Sequence, residues 1–148
     1  MRAEATSANH ADWPCRKGCD DCCRHLASAP RVTREEWLPI AAALATLPEQ
    51  VRQRIRESNS ATCPLLDVDS GACLIYDARP VACRAYGFYA ERESVLGCHR
   101  IELMGRHSTD VVWGNHAVLE VQLRRLGDAA TLAEWLAATP QATNRRSG

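Results

Sequence analysis

Long apolar runs are missing from this 148-residue chain. No stretch approaches the ~18 apolar residues that a membrane-spanning helix needs, so neither a membrane span nor a membrane partner is expected. The first residues, MRAEATSANHADWP, lack the apolar core of a secretory signal. That predicts a cytoplasmic chain whose thiols stay reduced. An excess of one charge is missing as well: 18 basic side chains face 18 acidic ones. With aromatics at 5%, the sequence offers neither the basic surface nor the stacking platforms of a nucleic-acid partner. Lysine occurs once, at Lys17, and phenylalanine once, at Phe88. So small an apolar inventory commonly needs a metal or a disulfide to hold the fold. There is no His-Glu-x-x-His motif, phosphate-binding loop or dinucleotide fingerprint. No residue is therefore assigned a catalytic role, and the question of enzyme activity stays open.

Cysteine, by contrast, is abundant: Cys15, Cys19, Cys22, Cys23, Cys63, Cys73, Cys83 and Cys98. An even count in a small secreted protein reads as a disulfide framework; in a reducing compartment the same count reads as a metal site or reactive thiols. The stretch CRKGCDDCC, residues 15–23, packs four of them into nine positions. Soft thiolates suit zinc or the irons of an iron–sulfur cluster. The Cys19-x-x-Cys22 spacing lets one tight turn aim two sulfurs at one centre, and Gly18 can supply a turn beside it. Neighbouring Cys22 and Cys23 side chains should diverge. They could serve two centres or two irons of one cluster, or one of them could be a core residue. Cys63, Cys73 and Cys83 follow at ten-residue steps. Joining them to the first group closes a loop of about 40 residues, whose entropic cost grows only slowly with length. A structural zinc returns roughly 10–16 kcal/mol of apparent binding energy, so a metal outweighs that cost. Cys98 is divided between a ligand and a buried small hydrophobe. Arg16, Arg24 and Arg84 each follow a cysteine and could offset thiolate charge.

The remaining candidates have plainer readings. His116 falls on an apolar helical face and reads as a core histidine. His10, His25, His99 and His107 carry no ligand pattern of their own. Glu91 and Glu93 alternate beside a strand and read as solvent-facing. Arg52, Arg54 and Arg56 read as a solvated helix face beside Glu49 and Glu57.

Along the chain, residues 1–12 and 139–148 read as flexible tails around a single domain, 13–138. Thr33 and Glu36 form a capping-box pattern ahead of a predicted helix over Arg34–Leu47. A second helix is predicted from Pro48 to about Ser58, with Val51 and Ile55 as its apolar face. Two short strands are expected around Asp69-Ser70-Gly71, a helical turn after Pro80 carrying Cys83, and a strand over Tyr86–Tyr89. Val112, His116, Leu119, Leu123 and Leu126 predict a helix over 109–126, stopped by Gly127; a last helix is expected over Ala130–Ala138. No internal repeat stands out. The expected fold class is mainly α with a small β-hairpin and an irregular cysteine-rich metal-binding region. The helices at 34–47 and 109–126 are expected to pack over the cysteine loops.

CRKGCDDCC followed by CPLLDVDSGACLIYDARPVACRAY resembles the bacterial CxxCxxCC cysteine-cluster family, described as zinc- or iron-chelating domain proteins. The matching residues are Cys63, Cys73, Ile75, Tyr76, Arg79, Pro80, Cys83 and Arg84, and the resemblance runs over roughly residues 15–90. The first gap here, Cys15-x3-Cys19, is one residue longer than the family's. That gap makes Cys15-x3-Cys19-x2-Cys22 similar to the radical S-adenosylmethionine motif, whose thiolates hold a 4Fe–4S cluster. The resemblance implies a metal ion partner, zinc or iron, on the eight cysteines, with a 4Fe–4S cluster as the alternative and any protein partner unidentified.

Overall fold

The computed structural model describes residues 13–26, 28–107 and 111–139. The expected tails lie, Thr139 apart, outside them. Helices make up the larger share, and three small sheets of two or three strands join them. The architecture is thus mixed α/β, with more sheet than the single predicted hairpin.

A short helix, α1 (Asp21–Arg24), lies inside the first cysteine loop. The chain then enters strand β1 (Arg31–Thr33) and helix α2 (Arg34–Ala45). The predicted capping box is present: the Thr33 hydroxyl accepts from the Glu36 N–H at 3.4 Å, and the Thr33 N–H donates to the Glu36 carboxylate at 2.9 Å. These bonds satisfy donors that a helix start leaves unpaired. Trp37, Ile40 and Leu44 bury the inner face of α2. Helix α3 (Glu49–Glu57) adds Ile55, while Arg52 and Arg56 pair with Glu49 on its exposed side. Such surface pairs contribute little to stability.

Strands β2 (Leu66–Asp67) and β3 (Ala72–Cys73) form the expected hairpin, pairing Leu66 with Cys73. A 3-10 turn (Tyr76–Ala78) and helix α4 (Val81–Ala85) follow. Strands β4 (Tyr89–Glu91) and β5 (Ser94–Leu96) are antiparallel, and β6 (Gly114–Asn115) joins β4 in parallel. Helix α5 (His99–His107) lies between them, unanticipated by the sequence reading although Ile101 and Met104 have helical spacing. The predicted helix over 109–126 is shorter: α6 covers His116–Arg124. The Asn115 side chain accepts from the Val118 N–H at 3.2 Å and sets that start. Residues 108–110 lie outside the described residues.

Strand β7 (Ala129–Thr131) and helix α7 (Leu132–Ala138) close the chain. β7 pairs antiparallel with β1, Val32 opposite Ala130. Here a short repeat emerges: Thr33-x-x-Glu36-Trp37 and Thr131-x-x-Glu134-Trp135 both run from a paired strand into a capping box. Trp37 and Trp135 stack at 5.7 Å between ring centres, and the Trp135 indole N–H donates to the Val32 carbonyl at 2.8 Å.

Two hydrophobic clusters result. The first centres on Val32, Trp37, Ile40, Leu44, Ile55, Leu65, Ile75 and Leu132. The second is smaller, built on Trp13, Phe88 and Ile101. Burying a side chain such as Ile40 contributes about 1.5–3 kcal/mol. Cys63 and Cys73 pack against the first cluster, to which α2 contributes Trp37, Ile40 and Leu44. Cys15 and Cys98 pack in the second cluster with Ile101 and Met104 of α5 and with Val111 and Trp113, which precede α6. Helix α6 buries no residue fully.

Candidate metal centre

All eight cysteines are free, half-buried thiols. They come from three stretches of chain held together by backbone hydrogen bonds. In the first stretch, the Cys19 N–H donates to the Arg16 carbonyl at 2.9 Å, closing a turn in which Gly18 has φ +89°. A side chain there would be strained. The Cys15 thiol donates to the Tyr86 carbonyl at 3.3 Å. A Cβ on Gly87, whose φ is +90°, would sit 2.7 Å from the Cys15 sulfur. Glycine is therefore required at 87 for both conformation and space.

The second stretch attaches to the first directly. The Cys63 N–H donates to the Cys23 carbonyl at 2.7 Å, and the Leu26 N–H to the Ala61 carbonyl at 3.3 Å. The Arg24 guanidinium pairs with Asp20 at 2.5 Å and reaches the Val68 carbonyl at 3.0 Å, tying α1 to the β2–β3 turn. Cys83 rides on α4, whose first N–H, that of Val81, donates to the Glu36 carboxylate at 2.7 Å. One carboxylate thus caps α2 and anchors the helix bearing Cys83. The third stretch supplies Cys98, whose carbonyl accepts from the Ile101 and Glu102 N–H groups at 2.9 and 3.0 Å and opens α5.

The thiols form an overlapping set. Cys15 has Cys19, Cys22 and Cys98 as charge neighbours. Cys23 has Cys63 and Cys73, Cys83 has Cys23, Cys22 and Cys73, and Cys73 has Cys22. Cys22 and Cys23 interact through their thiols, as do Cys23 and Cys63. Burial, followed by the neighbouring thiols, pushes Cys15 and Cys83 up to about 12. Cys22 is driven well above the usual thiol range, first by its hydrogen bond with Cys23 and then by burial. That same bond pulls Cys23 down, but its bond with Cys63, burial and nearby thiols outweigh the pull and leave it at about 12. Cys63 is lowered, chiefly by its bond with Cys23. Among the described residues, no three His, Cys, Asp or Glu side chains already stand at coordination spacing; the thiols meet as pairs and as wider neighbourhoods.

The surroundings suit thiolates. Backbone N–H groups two residues on reach three of the sulfurs: Asp21 to Cys19, Leu65 to Cys63 and Ile75 to Cys73. Hydrogen bonds of this kind favour the ionised form. The Arg79 guanidinium opposes the raised values at Cys15, Cys22, Cys73 and Cys83. Two of the arginines singled out by position are engaged elsewhere. Arg84 donates to the Arg79 and Asp77 carbonyls, and Arg24 is held as above. Arg79 itself follows no cysteine, so only the fold reveals its place. The donor set, eight soft sulfurs with backbone and guanidinium support, fits zinc or iron.

Other candidates lie apart. His25 is exposed and contacts the Asp21 carbonyl. His116 faces Glu91 at 3.8 Å and not the core. Glu91 and Glu93 are exposed, as expected. His10 and the His107 side chain lie outside the described residues. Two surface cavities, of about 470 and 290 Å3, run along α3, and neither is lined by a cysteine. No described helix is long and apolar enough to cross a membrane.

Residues 14–106, well over half of the chain, match the family model CxxCxxCC, whose description is "Putative zinc- or iron-chelating domain". The match includes all eight cysteines. No curated protein and no solved structure matches the chain.

Proposed function

The chain belongs to the CxxCxxCC family of zinc- or iron-chelating domains, and on that premise we propose that it binds zinc or iron through its eight cysteines in a reducing, cytoplasmic setting. The centre mainly holds the fold together and can serve as a carrier or partner-binding module. One observation carries this reading: eight free thiols from three separate stretches gather together, with backbone N–H groups directed at three of them. When bound, the metal would supply folding free energy by crosslinking residues 15–23 to 63–98. The protein's own groups hold the thiols in place. Glu36 anchors α4, the Cys63 N–H joins the two loops, and Arg79 offsets thiolate charge.

A second reading is a 4Fe–4S protein with a redox or radical-enzyme-related role. Cys15, Cys19 and Cys22, which carry the relevant spacing, are mutual neighbours. Metal and acid-labile sulfide content, with an absorption spectrum, on protein purified without oxygen separates the two. Stoichiometric zinc without colour supports the structural or chelating site. Iron with labile sulfide and a brown colour supports the cluster. Protein that binds neither zinc nor iron overturns both.

A further inference from the structure

Trp13 is 4% exposed, and its indole Nε1 is buried without a hydrogen-bond partner. Folded proteins rarely leave a buried donor unpaired, because its lost bond to water is then not recovered. The ring lies against Phe88 and Trp113, with centroids 6.1 and 5.5 Å away, and shares its cluster with Ile101 and Met104. A buried water needs about two to four polar partners, and so aromatic and aliphatic a surrounding is a poor source of them. The side-chain acceptors packed in that cluster are the Cys15 and Cys98 sulfurs, the Met104 thioether and the Tyr89 hydroxyl. Thioethers and neutral thiols accept only weakly. The Tyr89 ring is committed elsewhere: it lies over Gly114, where a Cβ would come within 2.5 Å of it.

Cys15 stands two residues on from Trp13 in the chain. In the metal-free protein its thiol is a donor, to the Tyr86 carbonyl at 3.3 Å. A metal-bound cysteine has lost that proton. Its sulfur then only accepts, and the Tyr86 carbonyl, itself an acceptor, no longer suits it. A charged acceptor also makes a hydrogen bond roughly twice as strong as a neutral one. Metal binding thus creates, in the same cluster, the acceptor that the Trp13 N–H lacks. Resting on the metal-binding reading above, we propose that Trp13 is a positioning residue for the metal centre: when zinc or iron binds, its indole N–H donates to the Cys15 sulfur. The bond fixes the direction of that sulfur and offsets part of its charge, as groups hydrogen-bonded to metal ligands do. The role is the same whether one metal binds or two.

The test is NMR of the full chain carrying isotope-labelled tryptophan, reduced and metal-free, then titrated with Zn2+ and separately with NMR-active Cd2+. The Trp13 indole signal is identified by its absence in Trp13→Phe, which keeps an aromatic ring and removes the N–H. If that variant does not fold, contacts with Phe88, the single phenylalanine, identify the signal instead. On metal addition the Trp13 indole proton should move downfield and show a scalar coupling to cadmium, with a through-space contact to the Cys15 β-protons. The Trp135 indole, already bonded to the Val32 carbonyl, should show no such coupling. Folded Trp13→Phe should bind Zn2+ roughly ten- to a hundredfold more weakly, the usual effect of removing a partner of a metal ligand. Bound Cd2+ without coupling to the Trp13 indole overturns the assignment but leaves metal binding intact. So does a coupling accompanied by contact with the Cys98 β-protons in place of those of Cys15. Failure to bind either ion overturns the assignment and the zinc reading together.

Discussion

The Arg79 guanidinium lies 3.7 Å above the centre of the Tyr76 ring, and its Nε donates to the Tyr76 carbonyl at 3.0 Å. Stacking and hydrogen bond fix a cation whose charge reaches four cysteines. Arg79→Gln should weaken zinc binding roughly five- to thirtyfold, because losing a unit charge near the thiolates is worth on the order of 1–2 kcal/mol at an effective dielectric of ~20. Arg79→Lys should recover only part of it, since an ammonium lacks the planar face and fixed fork. Competition with a coloured chelator measures this. Equal affinities in all three proteins would mean that Arg79 serves local packing alone.

Cys83→Ser should lower bound metal and melting temperature together. Cys83 sits on α4, and binding energy at a structural site is also folding energy. The paired measurement is metal content and thermal unfolding of the same sample. Full loading with unchanged melting would take Cys83 out of the site.

Gly87→Ala should destabilise the protein by about 2–4 kcal/mol, combining a disfavoured backbone conformation with overpacking. The added methyl would meet the Cys15 sulfur at 2.7 Å, so cobalt spectra should change in parallel with stability. Gly127→Ala also sits at positive φ but has open space around it, and it should cost only the backbone part.

Glu36→Ala should cost roughly 1–3 kcal/mol. It removes the capping box and leaves the Val81 N–H without its carboxylate partner. Glu134→Ala breaks the matching box at α7, which is exposed, and should cost less and leave metal content unchanged. Chemical denaturation of the two variants gives the comparison. Equal losses would mean that the Val81 bond adds nothing.

In the metal-free chain, burial and neighbouring thiols raise Cys15, Cys23 and Cys83 from 9.0 to about 12. A raised folded value means that the neutral thiol is the form the fold favours. The associated stability is complete below pH 9 and is lost as pH rises from 9 toward 12, with Cys63 acting in the opposite direction. The metal-bound protein should behave inversely and lose metal on acidification, because protons compete for thiolates. Unfolding profiles of both forms between pH 5 and pH 11 test this pattern. A metal-free protein with constant stability above pH 9 would contradict it.

Much of the local structure was legible in the sequence. Thr33 and Glu36 announced α2 because capping is a short-range hydrogen-bond pattern. Asp69-Ser70-Gly71 marked the β2–β3 turn, and eight cysteines, four of them within residues 15–23, pointed to soft-metal chemistry. The repeated Thr-x-x-Glu-Trp could have been read as well, but its meaning depends on β1 pairing with β7 about 100 residues later, which no local pattern encodes. The same holds for α6. Its apolar spacing is real, yet Val118 and Val121 remain half exposed, because the cluster beside Cys15 and Cys98 is filled by Ile101 and Met104 of α5 and by Val111 and Trp113 ahead of α6.

The sequence by itself determined the soft-donor chemistry on offer, since thiolate softness belongs to the side chain and needs no neighbours. It also determined the two dense motifs that bring most of the sulfurs within reach. Only the tertiary structure decided which segments the thiols lie against and which cation's charge reaches them. Those depend on where separate segments meet: Cys63 against Cys23, Gly87 against Cys15, and Arg79 among four cysteines that it does not adjoin in the chain. Coulomb interactions act through space, and the order of residues along the chain does not record those distances.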